Sequence, residues 1–376
     1  MAEKELVIVA LSGGVDSAVS ALLLCNAGYR VECLHMSNWE DDGYCESAKD
    51  FQDARRICQQ LNLPLHRVNF SEPYKKKVFS HFLEECRLGR TPNPDVLCNK
   101  EIKFGVLWEY AKRLGGHKLA TGHYVRKVSC RGQLELHKGL DPEKDQSYFL
   151  HAVNSKNLDN VLFPLGDKLK AEVRDLARSA LLPVAEKKDS TGICFIGERP
   201  FAKFLSEYLP NNPGEIKDLN GQILGEHQGL QYYTLPTLGQ RQGLGIGGLA
   251  NQSEDAWYVS RKQLDTNELI VVQGKNHSSL FKNWLKASAA SWVNEPSLGW
   301  LDGTAVRCWA KSRYRQTDQA CTAVRGKHDT IEVHFKKPQR AITPGQYVVL
   351  YQGTRCLGGA TIDETQMRDI SLGAAG

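Results

Sequence analysis

Leu6-Val-Ile-Val-Ala-Leu-Ser-Gly-Gly-Val-Asp-Ser17 is the stretch on which the fold turns. Leu6 to Leu11 is a short, continuous apolar run ended by Ser12-Gly13-Gly14, and Val15 to Ala27 then shows helical spacing until Gly28 stops it. The same strand, loop and helix grammar recurs downstream. Val31 to Met36 reads as a strand, Ala48 to Leu61 as a helix, Leu65 to Phe70 as a strand, Phe104 to Leu114 as a helix and Lys118 to Gly122 as a strand. Strands that alternate with helices predict an α/β fold, a doubly wound parallel sheet with helices on both faces.

Beyond this unit the texture changes twice. Near residue 200, Pro200, Pro210, Pro213, Gly214, Gly221, Gly225 and Gly229 punctuate short segments, which marks a boundary. In the last ninety residues Val306-Cys308-Ala310, Ile331-Val333-Phe335 and Tyr347 to Tyr351 alternate or run apolar between turn residues, as in an antiparallel barrel or sandwich. A chain of 376 residues has room for two or three domains. The expected division is a nucleotide-binding catalytic domain over 1–200, a small central domain over 201–285 and a C-terminal antiparallel β-barrel over 286–376.

Composition narrows the function classes. With 41% hydrophobic and 24% charged residues the chain is neither fibrous nor disordered, and no apolar run approaches the roughly 18 residues of a spanning helix. The acidic N-terminus resembles neither a signal nor a transit peptide, so a cytoplasmic protein without membrane contact is expected. Eleven cysteines without a CxxC pair exclude the common zinc-ribbon and thioredoxin patterns. The net charge of +5 is uneven: residues 286–376 carry 12 Lys+Arg against 8 Asp+Glu, so that segment is the more polyanion-facing part.

Ser12-Gly13-Gly14-Val15-Asp16-Ser17 lies where ligands bind in an open parallel sheet, past the carboxyl end of a strand. Two glycines let backbone amides approach an anion, two serines add hydroxyls, and a helix N-terminus follows. A tight turn with a serine cap accounts for the same residues. The loop is neither GxxxxGK[ST] nor GxGxxG. It resembles the PP-loop, SGGxDS, of the ATP pyrophosphatase superfamily, whose members cleave ATP between the α and β phosphates and adenylate a substrate. That resemblance makes Asp16 a magnesium ligand, as a hard oxygen donor suits.

Two cysteine segments stand out. In Thr91-Pro92-Asn93-Pro94-Asp95-Val96-Leu97-Cys98-Asn99-Lys100, Asp95 is expected to cap a helix with Cys98 in its first turn, where the helix N-terminus favours a thiolate. In Lys187-Lys188-Asp189-Ser190-Thr191-Gly192-Ile193-Cys194 a cysteine sits beside glycine and lysines. Taken singly, a capping aspartate and buried, inert cysteines explain both segments equally.

Together with the PP-loop, they resemble the bacterial tRNA-specific 2-thiouridylases, the MnmA family. The likeness runs through Met36-Ser37-Asn38-Trp39, Thr121-Gly122-His123-Tyr124, Lys144 to Phe149, Leu238-Gly239-Gln240-Arg241 and Arg313 to Asp318. It implies that Ala10, Leu11, Ser12, Gly13, Gly14, Val15, Asp16, Ser17, Met36 and Gly122 hold ATP, with Mg2+ on Asp16. Asn93, Pro94 and Asp95 meet the target base, and Lys144, Asp145, Gln146, Arg313 and Tyr314 contact tRNA. Cys98 is then the nucleophile, Cys194 carries the persulfide, and Asp95 suits proton transfer. Trp39, Tyr124 and Tyr148 are all candidates for stacking on the base. One departure is visible: Tyr232-Tyr233-Thr234-Leu235-Pro236-Thr237-Leu238-Gly239 is longer than the family's usual approach to Gly-Gln-Arg.

The implied reaction is ATP-dependent 2-thiolation of the wobble uridine in tRNA, a sulfurtransferase step supplied by a persulfide donor or relay protein. Two other readings compete. Another PP-loop adenylating enzyme acting on RNA would share the nucleotide loop without needing both cysteines. A non-enzymatic ATP-sensing RNA-binding protein would show no turnover, and pyrophosphate exchange separates it from an adenylating enzyme. Lys144 and Gln146 also fit a solvated polar loop, and Arg313-Tyr314-Arg315 an exposed barrel strand.

Overall fold

A computed structural model describes residues 4–39, 46–189, 200–233, 244, 246, 255–295, 300 and 303–368. The N-terminal part begins with β1 (Leu6–Ala10), α1 (Val15–Asn26), β2 (Arg30–Ser37), α2 (Glu46–Leu61) and β3 (Leu65–Asn69). β4 (Lys118–Ala120) follows, then a hairpin of β5 (Val125–Cys130) and β6 (Gln133–Lys138), then β7 (Val161–Leu162). Five strands form an all-parallel sheet in the order β3-β2-β1-β4-β7. β1 is central, and its side chains alternate between two cores as strand geometry requires. Val7 and Val9 pack with Val15, Val19 and Ile57 of α1 and α2, while Leu6 and Ile8 pack with Phe70, Tyr74 and Leu107. Burial on both faces is why this strand reads as an unbroken apolar run. The expected doubly wound sheet is present.

The strand order reverses between β1 and β4, so the loops after these two strands flank the crevice in which such sheets bind ligands. The central part adds β8 (Gly214–Lys217), β9 (Ile223–His227), β10 (Trp257–Gln263) and β11 (Glu268–Gln273), a four-stranded sheet ordered β10-β11-β8-β9. An aromatic cluster ties it to the first part: Trp39 lies 4.8 Å from Phe79, and Phe79 lies 4.9 Å from Tyr208.

The C-terminal part holds β12 (Phe281–Trp292), β13 (Ala305–Lys311), β14 (Gln319–Arg325), β15 (Ile331–Arg340), β16 (Tyr347–Gln352) and β17 (Arg355–Gln366). These pair antiparallel as β12-β15-β14-β13-β16-β17, and β17 pairs back to β12, closing a six-stranded barrel. Cys308, Ala310, Ile331, Val333 and Phe335 fill its interior, the residues whose alternation predicts it. The β5–β6 hairpin, encoded in the N-terminal part, adds to the outside of β17 through Arg355↔His137 and Cys356↔Leu136. Among the described residues no helix is long and apolar enough to cross a membrane.

Candidate active site at the crossover of the parallel sheet

The loop Leu11–Gly14 is braced from within. Gly13 has φ +84°, and a Cβ there would lie 2.3 Å from the Asp50 carbonyl oxygen, so only glycine fits. Gly14 adopts an extended φ of −97°, and a Cβ there would meet only Ser12 Oγ, at 3.5 Å. The two serine hydroxyls are 3.1 Å apart, and Ser17 Oγ donates to the Gly14 carbonyl at 3.0 Å. They shape the loop instead of both pointing outward as phosphate donors. α1 then begins at Val15 without a side-chain cap, and its first amides have no intrahelical acceptor, the arrangement an anion occupies. Met36 is half-buried near the end of β2, beside Val68 of β3. Gly122 is required by close approach: a Cβ there would lie 2.9 Å from Ser17 N.

Charges converge on this loop. Asp16 Oδ1 accepts from the Tyr124 hydroxyl at 2.7 Å and from Lys170 Nζ at 2.6 Å. Lys170 also pairs with Asp189 at 2.8 Å, and Asp189 further receives Lys144 at 2.6 Å and Arg174 at 2.9 Å. Burial works to raise the Asp189 pKa, but the hydrogen bonds from Lys144 and Lys170 outweigh it and hold the carboxyl down at about 2. Lys187 Nζ donates to the Gly13 carbonyl at 3.0 Å while pairing with Asp50 and Asp53, each at 2.7 Å. Lys170 and Lys187 are thus cations at the nucleotide loop that sequence reading passes over, since they lie 154 and 174 positions from their partners in the loop. A triphosphate fits this cradle: a side-chain-free bend, a helix N-terminus and two ammonium groups. Asp16 is a single carboxylate, and among the described residues no three His, Cys, Asp or Glu side chains gather into a metal cage. One carboxylate with phosphate oxygens and water suits Mg2+.

The second element is the helical segment 94–113. Asn93 caps it, its side-chain oxygen accepting from Asp95 N at 3.1 Å, and Pro94 takes the first helical position, where no amide is needed. This corrects the expected cap, Asp95, which lies inside the first turn. Cys98 follows that four-residue turn, 4% exposed, and opens a nine-residue π-helical stretch, Cys98–Val106. It stands beyond the first turn, where the dipole acts most strongly on a thiolate, so the expected position of Cys98 is also corrected. π-helical turns are rare and concentrate at functional sites.

Burial raises the Asp95 pKa, and the charge of Lys103 offsets part of the effect. The folded protein therefore binds a proton that the unfolded chain has released in the window just above the ordinary carboxylate pKa, and stability falls as pH rises through it. Asp95→Asn has no such slope. Its stability advantage is expected to appear with rising pH and to level off above the folded-state pKa. Urea unfolding midpoints of both proteins from acid to neutral pH check this, and a difference that is flat in pH would contradict it.

Contacts carry this helix to the nucleotide loop and to the barrel. Gly122 touches α1, and the next residue, His123, sets its ring 5.8 Å from Phe104 in the π-helical stretch. Asn99 donates to the Phe149 carbonyl at 3.2 Å, and the Tyr314 ring lies 4.3 Å from Phe149. Arg313 is half-buried, with one Nη donating to the Arg340 carbonyl at 3.4 Å. Asp145 is 5% exposed and accepts from Gly139 N, Ser147 N and Ser147 Oγ, while Gln146 brackets the Tyr124 backbone with two hydrogen bonds. Of the stacking candidates, Tyr124 and Tyr148 are buried with hydroxyls committed to Asp16 and the Tyr347 carbonyl; Trp39 is half-buried. Cys194 and the Leu238-Gly239-Gln240-Arg241 stretch, with residues 234–237 of the longer approach to it, lie outside the described residues.

Comparison with known proteins is consistent along the whole chain. A family model described as the tRNA methyl transferase HUP domain matches residues 5–198. The tRNA methyl transferase PRC-barrel domain matches 202–273, and the aminomethyltransferase beta-barrel domain matches 282–362. The tRNA-specific 2-thiouridylase MnmA of Pseudomonas fluorescens is 55% identical over 364 residues, 96% of this chain and 95% of that protein. Those of Stutzerimonas stutzeri and Nitrosomonas eutropha are 53% and 52% identical, covering 97% and 96% of this chain and 96% and 99% of their own lengths. Similarity of this extent, end to end and through all three matched regions, places the chain in the MnmA family of tRNA-specific 2-thiouridylases.

Proposed function

We propose that the protein thiolates the wobble uridine of tRNA at its 2-position, consuming ATP and releasing AMP and pyrophosphate. The observation that supports this reading is the segment after β4, where Gly122 packs against α1 beside the Gly13-Gly14 loop and His123 sets its ring 5.8 Å from Phe104, on the helical segment that carries Asp95 and Cys98. The uracil O2 is a poor leaving group, so it must first be adenylated. The oxygen attacks the α phosphate, the N3 proton is lost, and pyrophosphate departs. Lys170, Lys187 and the α1 amides are placed to hold the phosphates; Mg2+ held by Asp16 would neutralise the departing pyrophosphate.

Sulfur follows. Cys194, loaded as a persulfide by a donor or relay protein, carries the sulfur that displaces AMP from C2. Cys98 attacks the Cys194 sulfur, either releasing sulfide for that displacement or freeing the thiolated base afterwards. Either route leaves a Cys98–Cys194 disulfide, which a thiol reductant must reopen. Asn93, Pro94 and Asp95 meet the extruded base, which costs little to flip from a single-stranded anticodon loop. Lys144, Gln146, Arg313 and Tyr314 frame the tRNA backbone, with Arg and Lys setting its position, while the buried Asp145 holds the turn together instead of contacting RNA.

Sulfur incorporation into defined tRNA transcripts, with ATP and a persulfide donor, tests the reading; transcripts lacking a wobble uridine should stay unmodified. Asp16→Ala is expected to retain part of its ATP affinity but to lose magnesium-dependent pyrophosphate release by about 100-fold or more, as for removal of a group acting on developing charge. Turnover at the wild-type rate would remove Asp16 from the chemistry.

A further inference from the structure

Residues 144–146 turn inward as well as outward. Lys144 reaches Asp189 at 2.6 Å, Asp189 meets Lys170 at 2.8 Å, and Lys170 reaches Asp16 at 2.6 Å. Gln146 accepts from Tyr124 N at 3.0 Å and donates its own amide to the Tyr124 carbonyl at 3.1 Å, and the Tyr124 hydroxyl donates to Asp16 at 2.7 Å. Between them, Asp145 accepts from Lys311 of the barrel at 3.3 Å, and Lys311 stands two residues before Arg313. Both bonded routes from this turn end on one atom, Asp16 Oδ1.

We propose that Tyr124 is a positioning residue that couples tRNA docking on the 144–146 turn and the barrel loop to engagement of ATP by Asp16. The geometry leaves Tyr124 little independence. It is 1% exposed, Gln146 holds its backbone on two sides, and its carbonyl packs so near Gly139 that a Cβ there would come within 2.6 Å. A shift of the turn is therefore passed to the Tyr124 peptide. The Tyr124 hydroxyl is the donor in its 2.7 Å bond to Asp16 Oδ1. That donor and Lys170 both occupy Asp16 Oδ1, an oxygen the proposed nucleotide site needs. Docked RNA that draws the turn, and with it Tyr124, away releases Asp16 and tightens nucleotide binding. Coupling through packed, discrete contacts of this kind is measurable as a linkage free energy, and it is reciprocal.

The inference rests on the proposed function, and the test separates the two. Calorimetry measures binding of magnesium α,β-methylene ATP with and without tRNA, and of tRNA with and without that analogue. Wild type should bind the analogue about tenfold tighter in the presence of tRNA, with the same factor in the reverse titration, within the range common for coupled sites. Tyr124→Phe keeps the ring and removes only the donor. Because the substitution already releases Asp16, the variant should bind each ligand alone about tenfold tighter than wild type, as wild type does with the other ligand bound, while the coupling factor falls to about one. A purely structural role would instead weaken both ligands alone and leave the ratio unchanged. Coupling of wild-type size in Tyr124→Phe overturns the proposal, and so does absence of coupling in wild type. If the substitution prevents folding, Gln146→Ala, which removes the acceptor for Tyr124 N while keeping the main-chain bond to the Tyr124 carbonyl, is held to the same criterion on the coupling factor. Neither negative result touches the thiolation reading, which fails only if wild type binds neither ligand or incorporates no sulfur.

Discussion

Cys98→Ser is expected to accept sulfur from a persulfide donor on Cys194, to adenylate tRNA, and to deliver almost no sulfur, with thiolation down about a thousandfold or more. Cys194→Ser should fail one step earlier, adenylating without becoming loaded. Because both cysteines serve one transfer, the double variant should be no slower than the worse single one, the non-additivity expected of residues acting as a unit. Single-turnover reaction without reductant, followed by peptide mass spectrometry, should show a Cys98–Cys194 crosslink. The buried setting of Cys98 sharpens the test, since a 4% exposed thiol is not the first to react with stray oxidant. Label on another cysteine, with normal sulfuration in both serine variants, would defeat the mechanism.

The nucleotide loop gives the second large effect, and its two glycines should behave differently. Gly13→Val places a β-branched residue at φ +84° and drives its Cβ against the Asp50 carbonyl oxygen at 2.3 Å. Left-handed strain alone costs about 1–2 kcal/mol, and the clash must also move α2 or the loop. The variant should melt several degrees lower, because the damage reaches the Lys187 bridge to Asp50 and Asp53, and ATP binding should be lost. Gly14→Val meets only Ser12 Oγ at 3.5 Å, so the protein alone should lose no more than about 0.5 kcal/mol. If the phosphate lies against Gly14 as proposed, the new side chain takes its space, and ATP affinity should fall with the melting temperature almost unmoved. Unchanged ATP affinity in Gly14→Val would remove the loop from nucleotide binding.

Why some of this architecture is legible from residues alone, and some is not, has particular causes. β1 is readable because a strand covered on both faces has no polar position to blur it, and the barrel because Ile331-Val333-Phe335 alternates in step with the pleat. The true helix cap was within reach: Asn and Asp both cap, but Pro94 belongs at the first helical position, which assigns Asn93. Lys170 and Lys187 are not readable, because nothing local to either announces a partner more than 150 positions away. Asp145 and Gln146 look like solvent-facing loop residues, and only the close packing of Gly139 on Tyr124 turns them inward. The π-helical register at Cys98 likewise leaves no mark in residue type.

The β5–β6 hairpin sets a schedule for the growing chain. Its barrel partner is made much later: His137 Nδ1 meets Thr354 Oγ1 at 2.9 Å from 217 positions away, and Arg355 reaches Glu135 at 3.0 Å. On the ribosome, the outer edge of β6 therefore emerges long before the strand that covers it, and an open strand edge invites pairing with other chains. Glu135 and Lys138 along that edge supply the charge that discourages such pairing while the chain is incomplete. A nascent chain halted before residue 355 would have its parallel sheet but an uncovered hairpin.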